Sequence, residues 1–270
     1  MNNNYIIAIT EGVKTEKQII ENIESLYFQE RGMNFKILPF KTNIYELWKT
    51  LKADDFETDI VELLKEKELD ANERLKDVEV QSISEVYLFF DYDGHAAANS
   101  KIPSNEVENV IEEMLNVFSN ETENGKMYIS YPMVEAIKDL KREDSCDRQC
   151  RVKAKKNIGY KSNVHSITEF QDLTHLTKED WIIIITHNFK KVNCLIDNIY
   201  NCKDRSSYKF PDYKSYREKT NQKNIFDKQK TIIMQEDNVL VLSGFPFFLV
   251  DYFGIDFYFN IDLMSDLSEL

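Results

Sequence analysis

The chain has 270 residues, 42% of them hydrophobic, and 34 Lys and Arg stand against 47 Asp and Glu for a net charge of −13. That length is ample for a core and fits one large domain or one domain with a substantial appendage; no apolar run reaches the roughly 18 residues a membrane span needs, and the opening "MNNNYIIAITEG" lacks the basic segment of a secretion signal. The four cysteines, Cys146, Cys150, Cys194 and Cys202, therefore read as reduced thiols of a cytoplasmic protein; the alternative is a zinc site of Cys146 and Cys150, at helical i,i+4 spacing, with Cys194, Cys202 or His165, although the pair lacks the C-x2-C pattern of most zinc modules.

Residues 5–10 (YIIAIT) predict a short buried strand, followed by Glu11-Gly12. Thr15 reads as an N-cap, and Ile19, Ile20, Ile23, Leu26 and Tyr27 recur at helical spacing behind it. Residues 35–40 (FKILPF) predict a second strand. Residues 43–76 predict mostly helix, with Ile60, Leu63 and Leu64 facing inward. A third strand covers 86–90, and a helix beginning at Ser104 carries the stripe Val107, Val110, Ile111, Met114, Leu115 and Phe118. Residues 126–131 (KMYISY) predict a fourth strand, and Pro132 opens a helix through Leu140. Strand and helix thus alternate four times, which predicts an α/β domain over residues 1–140 with a mainly parallel central sheet flanked by helices.

Residues 141–270 predict a mostly helical region packed on that domain, for nucleic-acid or partner contacts. Thr177-x-x-Asp180 resembles a capping box, so a helix is expected from Lys178, with a break near His187. The apolar run "NVLVLSGFPFFLVDYFG" is expected to dock on the core. Charge is unevenly spread: residues 141–230 hold 20 Lys and Arg against 12 Asp and Glu, a net of +8, which leaves −21 for the rest, and residues 231–270 have neither Lys nor Arg. Such asymmetry predicts a local basic surface.

The informative acids stand behind predicted strands. Glu11 ends the first strand, with Glu16 at the start of the next helix. Asp91 and Asp93 end the third, with Gly94 and His95 behind them. Glu135 follows the fourth. In a parallel sheet these ends share one edge, where ligands bind. Converging carboxylates either take up protons or admit a divalent cation, and hard oxygen donors select Mg2+ or Mn2+. Such a cation neutralises phosphate charge and activates water, as phosphodiester cleavage requires. Lys14 lies close to Glu11. Arg151, Lys153, Lys155, Lys156 and Lys161 form a basic run suited to a phosphate backbone, and Tyr208, Tyr213 and Tyr216 stand in a second basic run, 203–230, where they are candidates to stack on bases. A phosphatase built on a nucleophilic aspartate would carry Asp-x-Asp after its first strand, and no Gly-x-x-x-x-Gly-Lys-Ser/Thr loop occurs.

"IAITEGVKTE" followed by "VYLFFDYDG" resembles the Toprim domain of topoisomerases, bacterial primases and several nucleases. The matching positions are Glu11, Asp91 and Asp93. "EGVKTE", with Thr15 and Glu16, is similar to the RloB/AbiLii-like branch, as is His95 soon after Asp-x-Asp. "SYPMVEAI" resembles that branch's Asn-Pro-x-x-Glu segment, with Tyr131 in place of Asn, Pro132 kept and Glu135 in the matching place. The resemblance covers residues 1 to about 140. It implies a Mg2+- or Mn2+-dependent nuclease acting on DNA or RNA, tRNA included, with Glu11, Asp91 and Asp93 catalytic and Glu16 and Glu135 completing the metal set. It also implies an effector of bacterial anti-phage or abortive-infection defence that works beside an ATPase. The alternative is a non-catalytic Toprim-like module that docks on a partner protein, for which the acidic "IDLMSDLSEL" would suit.

Overall fold

The interior of the first strand is apolar on every side. In a computed structural model, which describes residues 4–40, 44–67, 69–92, 100–142, 150–154, 159–167, 169–197, 220–254 and 257, β1 (Asn4–Thr10) has Ile6, Ile7, Ala8 and Ile9 fully buried. A strand covered on both faces belongs at the centre of a parallel sheet. It is flanked in parallel by β2 (Met33–Pro39) and β3 (Ile83–Asp91). Two further strands, β4 (Ser119–Asn120) and β5 (Gly125–Ser130), form an antiparallel hairpin. The order β2-β1-β3-β5-β4 makes a mostly parallel five-stranded sheet, the α/β arrangement expected from the strand–helix alternation.

Between the strands lie α1 (Thr15–Ile23), α2 (Ile44–Ala53), α3 (Ile60–Lys67), α4 (Leu69–Leu75) and α5 (Val107–Val117). Each buries an apolar stripe: Ile19, Ile20 and Ile23 on α1, Ile60, Leu63 and Leu64 on α3, and Ile111, Met114 and Leu115 on α5. α1 runs on into a π-type turn, Glu24–Phe28. Its N-cap is Lys14, without a side-chain bond, so Thr15 is the first helical residue rather than the cap. The helix expected from Ser104 starts at Val107, because Glu106 N–H first closes a turn on the Pro103 carbonyl.

β2 ends the sheet, and its outward backbone groups are covered by side chains. The Phe35 N–H donates to Glu24 at 2.7 Å, and Arg74 donates to the Ile37 carbonyl at 3.1 Å. Burial pushes the Glu24 carboxyl pKa upward, and the bond from Phe35 opposes it. An edge capped in this way offers fewer groups to another strand.

The chain forms two compact units, Met1–Tyr128 and Ile129–Leu270, and β5 runs across the division. In the second unit, β6 (Arg151–Lys153) pairs antiparallel with β7 (Asn238–Leu240). Among the described residues its helices are α6 (Tyr160–Ile167), α7 (Lys178–Asp197), α8 (Gln222–Glu236) and α9 (Phe245–Phe253). α7 contacts both α8 and α9. The capping box is present: the Thr177 N–H donates to Asp180 at 2.9 Å, and the Asp180 N–H to Thr177 Oγ1 at 3.2 Å. The expected break near His187 is absent. Thr186 and Asn188 turn their polar groups onto the Ile182 and Ile184 carbonyls of the preceding turn, so the helix runs through.

The helix expected from Pro132 to Leu140 is a single 3-10 turn, Val134–Ile137. Tyr131 is still held in a bridge with Leu242 and Met133 is extended, which leaves too little chain for an α-helix. The residues from Phe245 to Val250 are all buried, as the apolar run predicts.

β7 depends on one side chain. Gln229, fully buried on α8, gives its Nε2 to the Leu240 carbonyl at 2.8 Å and takes the Leu240 N–H on Oε1 at 2.9 Å. Gln229→Leu orphans both backbone groups. It should lower unfolding stability by about 2–4 kcal/mol in urea titration, whereas the exposed Met234→Ala should change it by less than about 0.5 kcal/mol.

Candidate metal site

Parallel pairing delivers the carboxyl ends of β1 and β3 to one edge of the first unit's sheet. The register sets Ile9 beside Leu88 and Thr10 beside Phe89. Glu11 is thus the next residue beyond β1, and Asp91 ends β3 one step past Glu11's level, on strands about 4.8 Å apart. Both side chains are half-buried. Two carboxylates eighty residues apart in sequence share one sheet edge.

The loop behind β1 is tied down by Glu16. This residue, 5% exposed in the first turn of α1, takes the Gly12 N–H on Oε1 at 2.8 Å. Thr10 Oγ1 donates to the Gly12 carbonyl at 2.8 Å. A Cβ at Gly12 would come within 2.5–2.9 Å of the Glu16 carboxylate. Room for that carboxylate, rather than a left-handed backbone, is what asks for glycine here. Glu16 therefore positions the Glu11 loop through one oxygen. Lys14 and Val13 are exposed on the same loop.

The end of β3 is pinned in its turn by Tyr92, which sequence reasoning passed over. Its ring is buried, and its hydroxyl donates to the buried Glu108 of α5 at 3.2 Å. The available signal was period-two alternation, which turns the middle residue of Asp-x-Asp away from its neighbours. Asp93, Gly94 and His95 lie outside the described residues, as do Lys155, Lys156, Cys146, Cys202, Tyr208, Tyr213 and Tyr216.

Glu135 belongs to the second unit. It is 2% exposed on the 3-10 turn, and the Lys161 ammonium stands 2.5 Å from its Oε1. The approach is off the line of a hydrogen bond, so the attraction is one of charge. Beside them the Tyr160 hydroxyl donates to Asp139 at 3.0 Å; burial, then Asp139 and Glu135, push its pKa upward. Arg151 pairs with Glu236 at 2.6 Å and holds that carboxyl pKa below its usual value, and Lys153 donates to the Glu236 carbonyl at 3.2 Å. Arg151 and Lys153 thus close the C-terminal end of α8, and Lys161 faces Glu135.

Among the described residues, no three His, Cys, Asp or Glu side chains gather as a metal site. The donors that do share an edge, Glu11 and Asp91, are hard carboxylate oxygens of the kind Mg2+ or Mn2+ takes, and Glu16 holds the loop that presents one of them.

Gly12→Ala should destabilise the chain by about 1–3 kcal/mol through overpacking against Glu16. In a double-mutant cycle with Glu16→Ala, the two changes should couple by more than about 0.5 kcal/mol, read by thermal or urea unfolding; additivity would separate the pair. Comparisons of the chain with protein-family models, with curated proteins and with solved structures find no match to any of them.

Proposed function

We propose that this protein is a divalent-metal-dependent nuclease that hydrolyses phosphodiester bonds in DNA or RNA. The observation that carries the reading is the β1–β3 register, which sets Glu11 and Asp91 on one edge of a mostly parallel sheet. The likeness of "EGVKTE" and "FFDYDG" to Toprim nucleases supports it. A divalent cation held there supplies charge neutralisation at a phosphate and a more acidic water. The chain's own residues divide the remaining work. Glu11, Asp91 and Asp93 are the ligands. Glu16 fixes the loop through Gly12. Lys14, exposed on that loop, offers an ammonium to a phosphate oxygen. By the same likeness, the protein is an effector of anti-phage defence that works with an ATPase.

The test combines metal binding with cleavage. Saturating Mn2+ or Mg2+ should raise the melting temperature, with about 2.7 kcal/mol of added stability when the ion stands at 100 times its Kd. Asp91→Asn should remove that shift. Metal-dependent cleavage of plasmid, single-stranded DNA or tRNA should fall in Glu11→Gln and Asp91→Asn by more than the ~10–100-fold typical of an outer-shell partner. A wild-type protein that cleaves none of these with either metal, yet binds a partner protein tightly, would be the non-catalytic docking module instead.

A further inference from the structure

Among the described residues two large apolar side chains are exposed, Val13 at 55% and Met234 at 73%. Met234 stands on α8, in the second unit. Val13 stands two residues beyond Glu11, on the loop between β1 and α1. Its exposure is not slack in the chain. On one side, Gly12 is held through its N–H by Glu16 and through its carbonyl by Thr10, both at 2.8 Å. On the other, Lys14 is the N-cap of α1, and its carbonyl takes the Gln18 N–H at 3.1 Å. The backbone that carries Val13 is therefore fixed from both ends, and a β-branched side chain has little χ1 freedom of its own.

A fixed apolar side chain loses little entropy when a ligand covers it, so the area it buries counts almost in full toward binding. Lys14 is exposed beside it. An ammonium next to an aliphatic side chain pairs a charge for a phosphate with an apolar surface for the attached base or sugar. A base shows its face only when it is unstacked. In a duplex an aliphatic side chain reaches that face by wedging a base step apart. Val13, already nearly half covered, has too little area left to bury to offset that unstacking. In a strand that is already unpaired the cost is at its lowest.

We infer that Val13 is a specificity residue at the β1–β3 edge, which packs on an unpaired base or its sugar and so selects a single-stranded stretch of nucleic acid over a duplex. That role rests on the nuclease reading for what the neighbouring carboxylates do, but the contact itself requires no cleavage, so it is tested separately.

The full chain is mixed with fluorescent single-stranded DNA, single-stranded RNA and duplex DNA of one sequence, in Ca2+, which takes the same hard oxygen ligands as Mg2+. Binding is read by anisotropy. The wild type should bind the single strands more tightly than the duplex. Val13→Ser should weaken single-strand binding about fivefold, as the lost apolar area predicts, with the melting temperature unchanged, as for a surface substitution. Val13→Ile should bind at least as tightly as the wild type, and Met234→Ser should match it. In Mn2+, Val13→Ser should raise KM on the single strand and keep kcat. The tighter of the DNA and RNA strands names the sugar that is contacted, and equal binding places the contact on the base. A wild type without preference for the single strands, absence of binding included, or a Val13→Ser variant that binds them as the wild type does, overturns the inference even where the protein cleaves. A wild type that cuts nothing in Mn2+, yet loses single-strand binding in Val13→Ser, keeps the inference and removes the nuclease reading.

Discussion

The parallel pairing of β1 with β3 is the constraint on which the candidate site rests. Side chains alternate along a strand, so a slip of one residue would turn Leu88 and Phe90 to the opposite face and carry Asp91 away from its place. Burial on both faces of β1 makes such a slip costly, because Ile6 to Ile9 have no exposed side to move to. The register is then locked beyond the strand ends. Glu16 fixes the loop after β1 through Gly12, and Tyr92 fixes the chain after β3 through Glu108. A site assembled from distant segments needs such second contacts, because the carboxylates repel one another and would otherwise drift apart.

The second unit is stabilised on other terms. Its short strands are held by side-chain amides and a hydroxyl as much as by each other. Gln229 serves both backbone groups of Leu240, Gln222 takes the Ile129 N–H, Asn188 takes that of Ser243, and Ser130 takes that of Gly244. Each substitutes for a strand neighbour in a place water does not reach. Polar interiors of this kind specify one arrangement strongly when satisfied, and are sensitive to any single deletion.

These two ways of building explain what was legible in the sequence. Strands β1 and β3 showed themselves because double-sided burial writes a continuous apolar run. The α7 cap showed itself because Thr177-x-x-Asp180 is local chemistry. β4, β6 and β7 did not, since strands of two or three residues are too short for a period, and β7 also depends on a distant side chain, Gln229. The turn after Pro132 misled for a related reason. Its sequence permits a helix, but the bridge between Tyr131 and Leu242 keeps the chain extended. In the site, Glu11 and Asp91 were readable from their place behind strands, whereas the loop-holding work of Glu16 depends on a 2.8 Å bond that no spacing announces.

Charge in the second unit depends on the partner of each described cation. The +8 of residues 141–230 reads as a basic surface, yet a positive side chain steers an anionic ligand only to the extent that no neighbour cancels it. Arg142 meets Asp180, Arg151 meets Glu236, Lys161 meets Glu135, and Lys153 lies on a carbonyl. Those charges are spent inside the second unit. Electrostatic function in that unit therefore follows the pairing of each cation rather than the total.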